Sequence, residues 1–328
     1  MNLCFRFLFP LFLIFTINGC SNEIDVLADY EENASVYALL DPAQNWQFIK
    51  INKVFTNPNA KAGDVARIAD SLYFDTLQAE VIENETGRRM PLTRANIALK
   101  DSGTFANSPN YIYVTNERIF SNRSYRLEIK LPNSGKLITA YTNIPSSPGV
   151  YSPGVFLNIP YSATSGFNLS FQTAQRAKIY DAFLYFNYTE INKSDTNIKT
   201  DKTIAWKILR SYRSLGEKGN ELVNNRINGI VFYELLLSSI PVNPAVTRKF
   251  RPCEFLLICG NAELDNYIQA STPSIGIVQK QSEYSNVNKG IGIFASRFTY
   301  YMNGINLTNT TKDLIVGTPE MKVLGFTK

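Results

Sequence analysis

A two-residue alternation of apolar and polar side chains, cut into short runs by turn residues, constrains this chain more than any other feature. Successive side chains of an extended strand point to opposite faces, so each run can bury one face and solvate the other. Residues 36–40 form the first run, and Asp41-Pro42 closes it. In residues 46–55, Ile49, Ile51, Lys53 and Phe55 share a face, and Asn57-Pro58-Asn59 ends the run. Residues 62–70 are expected to make one or two helical turns. Further strands are expected over 77–83, 111–114, 124–131 and 136–142, punctuated by Gly87, Gly103, Pro109 and Asn133-Ser134-Gly135. Strands with turns at this spacing predict an immunoglobulin-like β-sandwich over residues 35–145.

Residues 146–160 are rich in Pro, Ser and Gly and read as a linker. Beyond them, residues 161–328 are expected to form a second β-rich domain with two short helices. Residues 178–189 alternate Tyr180, Ala182, Leu184, Phe186 and Tyr188 on one face. The other face also carries Phe183 and Tyr185, which predicts a central strand. Residues 203–212, with Trp206, are expected to return antiparallel to it. Residues 229–240 (GIVFYELLLSSI) read as a helix ended by Pro241 and Pro244, and residues 262–270 as a second, short one. The fold class expected is mainly β.

The start of the chain has a different character. One cation, Arg6, precedes an apolar run over 7–17 that is interrupted only by Pro10 and Thr16. A membrane-spanning helix needs roughly 20 apolar residues, so the run has the length of a signal-peptide core. It ends in Ile17-Asn18-Gly19-Cys20, which resembles a lipobox, although Asn18 departs from the small or apolar residue usual there. Residues 1–19 are therefore expected to be a signal peptide, Cys20 the lipidation site, and residues 20–34 a lipidated tether. Two acyl chains suffice for stable anchoring. The expected location is the outer membrane, on the periplasmic leaflet or the cell surface. The partial acidic stretch Ser21-Asn22-Glu23-Ile24-Asp25 leaves both open.

Composition narrows the chemistry. There is no histidine, which excludes imidazole metal sites, Ser-His-Asp and Cys-His catalysis, and histidine general bases. The formal charge of +5 is spread without a basic block, so nucleic-acid binding is not expected. Cys253 and Cys259 bracket an apolar run, Glu254-Phe255-Leu256-Leu257-Ile258. Extended at roughly 3.3 Å per residue, it would hold the two cysteines about 20 Å apart, beyond the reach of a disulfide. Two buried free thiols are expected.

Other motifs are weighed against plainer readings. Gly290-Ile291-Gly292-Ile293-Phe294-Ala295, with Asp313 downstream, mimics a dinucleotide fingerprint. That chemistry needs the glycines to open a helix. Here Ile291, Ile293 and Phe294 favour a strand, Asn303-Gly304 favours a turn, and the glycines suit a bulge or close strand packing. Asp195, Asn197 and Asp201 suggest a calcium loop, but Lys199 and Thr200 break the EF-hand pattern, which leaves a solvated hairpin loop. Glu31-Glu32 and the pair Glu83/Glu85 could serve a glycosidase only if carboxylates faced each other across a cleft, and surface charge is the expectation. Trp46 and Trp206 could stack on sugar rings, yet both fall in apolar runs and are expected in core or half-buried positions. No catalytic residue, cofactor or metal site is predicted.

Several longer blocks carry a resemblance. In order they are YALLDPAQNWQFIKINKVF, ADSLYFDTLQAEV, FYELLLSSIPVN, AELDNYIQASTPS and YSNVNKGIGIFASR, the last with a specific SNV-x-x-G-x-G-I-F core. Together the chain resembles a group of Bacteroidota cell-envelope lipoproteins containing a domain of unknown function, over nearly all of its length after the signal peptide. The resemblance implies a β-rich envelope protein, often encoded near TonB-dependent outer-membrane receptors, and supplies no catalytic residues. The expectation is a non-enzymatic binding or accessory protein for such a receptor or for a ligand. A structural envelope protein is the second expectation, and a carboxylate-based glycan hydrolase the third.

Overall fold

The computed structural model describes residues 31–54, 62–97, 103, 105, 106, 108–272 and 283–328. Cys20, the signal peptide, most of the expected tether, Phe55 and Asn57-Pro58-Asn59 lie outside these residues.

The alternating runs become strands. β1 (Asn33–Leu40) and β2 (Gln47–Val54) pair antiparallel around the turn at Asp41. Two single helical turns follow, α1 (Ala62–Val65) and α2 (Ala69–Leu72). Next come β3 (Gln78–Glu83), β4 (Arg89–Pro91), β5 (Thr93–Asn96), β6 (Tyr111–Thr115), β7 (Ser124–Lys130) and β8 (Leu137–Asn143). The stretch read as a linker carries β9 (Gly149–Ser152) and β10 (Phe156–Leu157). The remainder holds β11 (Gly166–Gln172), β12 (Ile179–Asn192), β13 (Lys199–Arg213), β14 (Leu222–Asn228), α3 (Gly229–Ser239), β15 (Val246–Phe250) and β16 (Cys253–Gly260). It ends with α4 (Ala262–Ser271), β17 (Val287–Asn288), β18 (Ile291–Leu307), α5 (Asn309–Gly317), a 3-10 turn at Lys322–Leu324 and β19 (Phe326–Thr327).

The protein is mainly β, with several sheets and none closed among the described residues. The largest runs β19-β15-β12-β16-β18-β1-β2-β6-β5, with β13 added on β12 and β10 on β18. A second sheet runs β17-β8-β7-β3-β4 and a third β14-β11-β9. β12 is central, paired along one edge with β13 and along the other with β16 and then β15.

Two hydrophobic cores lie along the large sheet. In the first, Val36, Ile49, Ile51 and Tyr113 of the large sheet meet Val81, Leu127, Ile129, Ile138 and Ala140 of the second sheet. The alternation of β1, β2 and β7 supplies these side chains, while Lys53, on the Ile49 face, is only half-buried. The second core gathers Tyr180, Leu184, Phe186, Trp206, Phe255 and Leu257 under α3, the third sheet and α5. α3 forms because the Asn228 side chain accepts from the Ile230 N–H and Pro241 prevents its extension. Its buried face carries Phe232, whose ring lies 5.5 Å from Trp206 and 5.6 Å from Phe186. Burial of such a ring stabilises the fold by about 1.5–3 kcal/mol.

β18 joins the two cores. It starts parallel to β1, with Phe294 in the first core, and ends beside β10 with Ile305 and Leu307 in the second. Asn303-Gly304, expected to turn the chain, instead lies within this strand. Gly304 has φ +74°, and the register with β16 jumps there, from Cys253 opposite Ile305 to Phe255 opposite Met302. A left-handed glycine in a bulge absorbs the extra residue and the strand continues.

Candidate functional site: the open face of the large sheet

β12 and β16 are apolar on both faces, and among the described residues only one of these faces is packed. Direct cross-strand partners share a face of a sheet. Leu184 sits between Trp206 and Phe255, and this inner face belongs to the second core. The outer face carries the row Lys207, Phe183, Leu256 and Tyr301 across four strands. Beside it run Asp181, Ile258 and Thr299, and on the other flank Ala205, Tyr185 and Glu254. Phe183, Tyr185, Leu256 and Ile258 are half-buried and Tyr301 is 51% exposed.

Polar groups frame this apolar centre. The Phe183 and Tyr185 rings stack with centroids 6.2 Å apart. Lys207 Nζ sits 5.3 Å above the Phe183 ring and 2.7 Å from the Asp181 carboxylate. Tyr301 is hydrogen-bonded to the Glu254 carboxylate, which pushes its phenol pKa up, and Asn187 Nδ2 donates to the same carboxylate at 3.2 Å. At one border Asp41, 1% exposed, accepts from Arg297 Nε at 2.8 Å and Thr299 Oγ1 at 2.7 Å. α4 closes the adjoining end, where Leu264 packs directly over Gly260. Charged rim groups around aromatic and aliphatic side chains have the anatomy of a protein–protein interface.

The residues singled out from sequence are scattered elsewhere. Cys253 and Cys259 are free, buried and on one strand. Burial pushes each thiol pKa up to about 12, which removes thiolate chemistry at neutral pH. The glycines of the dinucleotide-like motif lie at and just inside the start of β18, not at a helix N-terminus. Gly292 has φ +107°, and a Cβ there would run into the Val36 carbonyl, so close strand approach explains it. Asp313 lies on α5 and pairs with Lys328.

The acidic candidates are each committed to local structure. Asp195 and Asn197 occupy the β12–β13 hairpin loop, where Asp195 accepts from the Asn197 N–H at 3.0 Å. Asp201 pairs with Arg251 and accepts from Thr189. Among the described residues no group of three or more histidine, cysteine, aspartate and glutamate side chains is placed to hold a metal. Glu32 and Glu83 correct the expectation of surface charge, since both are buried. Burial alone would raise the Glu32 pKa, but hydrogen bonds from Ser134 and Asn133 outweigh it and hold the carboxyl below its usual range. Glu83 lies between Arg88 Nε at 3.3 Å and Arg123 Nη1 at 2.8 Å. Glu85 accepts from the Ser124 N–H at 2.9 Å.

The two tryptophans separate. Trp206 is 8% exposed, in the second core, whereas Trp46 is 48% exposed. Trp46 precedes β2 in the turn after Asp41, so its side chain escapes the packing that the apolar run implied. None of the sequence candidates falls in the apolar centre of the open face; Asp201, opposite Thr189, lies on the same side of the sheet but well along the strand from it. The only forewarning of this face was that β12 and β16 carry large apolar side chains on both sides. Among the described residues, no helix is long and apolar enough to cross a membrane. Compared with models of protein families the chain matches none, and no curated protein matches it either.

Proposed function

We propose that the chain is a lipid-anchored protein of the bacterial outer membrane that serves as a binding subunit beside an outer-membrane receptor of the TonB-dependent kind. The observation that carries this reading is the open outer face around Phe183, Tyr185, Leu256, Ile258 and Tyr301. A monomer leaves such a patch uncovered at a cost in solubility, which a docked partner removes. The lipobox at Cys20 supports a tether that holds this face close to membrane neighbours, and the reading requires no catalytic group. We also read residues 35–145 as an immunoglobulin-like sandwich. Two face-to-face sheets with a shared core support it, with β17 and the start of β18 completing the two layers.

Extraction in mild detergent tests the proposal. The protein is expected to co-purify with a TonB-dependent receptor. The Tyr301→Glu/Leu256→Glu variant should lose that partner while keeping its thermal midpoint. A protein that stays alone after crosslinking in intact cells refutes the receptor reading. Equal fatty-acid labelling of wild type and Cys20→Ser refutes the anchor.

A further inference from the structure

We propose that the exposed face of the third sheet, β14-β11-β9, binds a neutral oligosaccharide, with Tyr151 as a stacking platform and Gln172, Asn220 and Asn224 as hydrogen-bonding groups. This site lies apart from the open face of the large sheet, and its test does not depend on receptor docking. Register sets Asn168 beside Arg226, Ser170 between Asn224 and Ser152, and Gln172 between Leu222 and Gly149. The intervening residues Leu169, Phe171, Val223 and Ile227 are buried, so this set faces outward.

The polar groups are already organised by one another. Tyr151, 62% exposed, donates from its hydroxyl to Gln172 Oε1 at 3.3 Å. Gln172 Nε2 donates to Asn220 Oδ1 at 3.1 Å, and Ser170 Oγ to Asn224 Oδ1 at 2.6 Å. These bonds engage the amide oxygens. They leave Nδ2 of Asn220 and Asn224, the Asn168 amide and the Arg226 guanidinium without a protein partner among the described residues.

An ordinary solvated sheet face looks different, and this protein supplies the comparison. The exposed face of the second sheet is laced with ion pairs joining Arg89 to Glu80 and Glu128, and Arg126 to Glu128. The β14-β11-β9 face carries one charge, Arg226. Asparagine is depleted from strands, yet Asn168 and Asn224 both sit in strands on this face. Residues that break a local rule mark places where function outweighs stability.

The chemistry matches a neutral sugar. Each sugar hydroxyl both donates and accepts, as does a carboxamide. The weakly positive C–H face of a pyranose suits the negative face of a tyrosine ring. A tyrosine also offers this area at low conformational cost. Few charges need to lose water when a neutral ligand covers the face.

Calorimetric titration of the purified full-length chain with maltohexaose, laminarihexaose, cellohexaose, xylohexaose and N-acetylchitohexaose tests the proposal. At least one should bind. Tyr151→Ala and Gln172→Ala should each weaken it about tenfold or more, equivalent to about 1.4 kcal/mol, with an unchanged thermal midpoint. Tyr141→Ala, at an exposed tyrosine of the second sheet, should bind as wild type does. Three outcomes overturn the proposal: no binding of any of the five, binding that survives Tyr151→Ala, or an equal response to the acidic polymer polygalacturonate.

Discussion

Arg248 is the largest fully buried side chain among the described residues, at 0% exposure, and it offers a quantitative test of how the C-terminal end is held. Its Nε and Nη2 both donate to Glu190 Oε1, at 2.9 and 2.7 Å. Nη1 reaches the Leu324 carbonyl at 2.5 Å, and Nη2 the Pro241 carbonyl at 2.9 Å. One guanidinium therefore ties β12, the end of α3 and the 3-10 turn before β19. Arg248→Met keeps most of the volume but strands a carboxylate and two carbonyls. Breaking a buried pair from one side costs about 3–5 kcal/mol. With unfolding entropy of about 2.1 cal/mol/K per residue over roughly 300 residues, that loss lowers the thermal midpoint by about 5–8 °C. Glu190→Gln keeps an acceptor oxygen and should lose less. Arg248→Met/Glu190→Leu should recover part of the loss, because the charge goes but the two carbonyls still lack a donor. Scanning calorimetry of the four proteins gives the comparison. If Arg248→Met falls within about 1 kcal/mol of wild type, the network does not stabilise the fold and the reasoning fails.

Further predictions address other parts of the fold. Gly292→Ala should destabilise by about 2–5 kcal/mol, from positive-φ strain plus collision with the Val36 carbonyl, read as a lower urea midpoint. Native protein should resist thiol alkylation at pH 8, whereas denatured, unreduced protein should take up reagent at both Cys253 and Cys259. A 253–259 bridge found by mass spectrometry would contradict the strand geometry. Glu32→Gln should lower stability at pH 7. The native carboxyl titrates below the unfolded value of about 4.3, so its contribution is present above that value and fades as pH falls through the native pKa. Denaturation curves of wild type and variant should therefore converge in acid, and a constant gap from pH 7 to pH 3 would contradict the assignment.

Local signals carried much of the secondary structure. Alternation marked β1, β2, β3, β7, β8 and β12, and an apolar run closed by Pro241 and Pro244 marked α3. Elements whose stability comes from neighbours were invisible. β4 and β5, of three and four residues, are too short for an alternation to be read. α5 begins Asn309-Thr310-Thr311, poor helix formers, and exists because Thr308 caps it and Ile315 is buried. Asn303-Gly304 has the chemistry of a turn, and only pairing with β16 keeps the strand running through it. The burial of Glu32 and Glu83 depends on donors far along the chain, Ser134 and Arg123, which composition cannot place. For the open face, Phe183 and Tyr185 were readable as apolar on a central strand. Whether anything covers them depends on where α3 and α4 pack, and α3 packs on the opposite side.

The pairing of β1 with β18 also sets an order of events. Val36 finds Gly292 almost the whole length of the chain later, so loop-closure entropy delays the contact. As the polypeptide emerges, β1 has β2 on one side and bare backbone donors and acceptors on the other. That bare edge stays available to any extended segment until the last stretch arrives. The first core lacks Phe294 for the same interval. The earliest-made layer is thus among the last to be sealed, and a polypeptide cut short before residue 291 would lose the integrity of its beginning as well as its end.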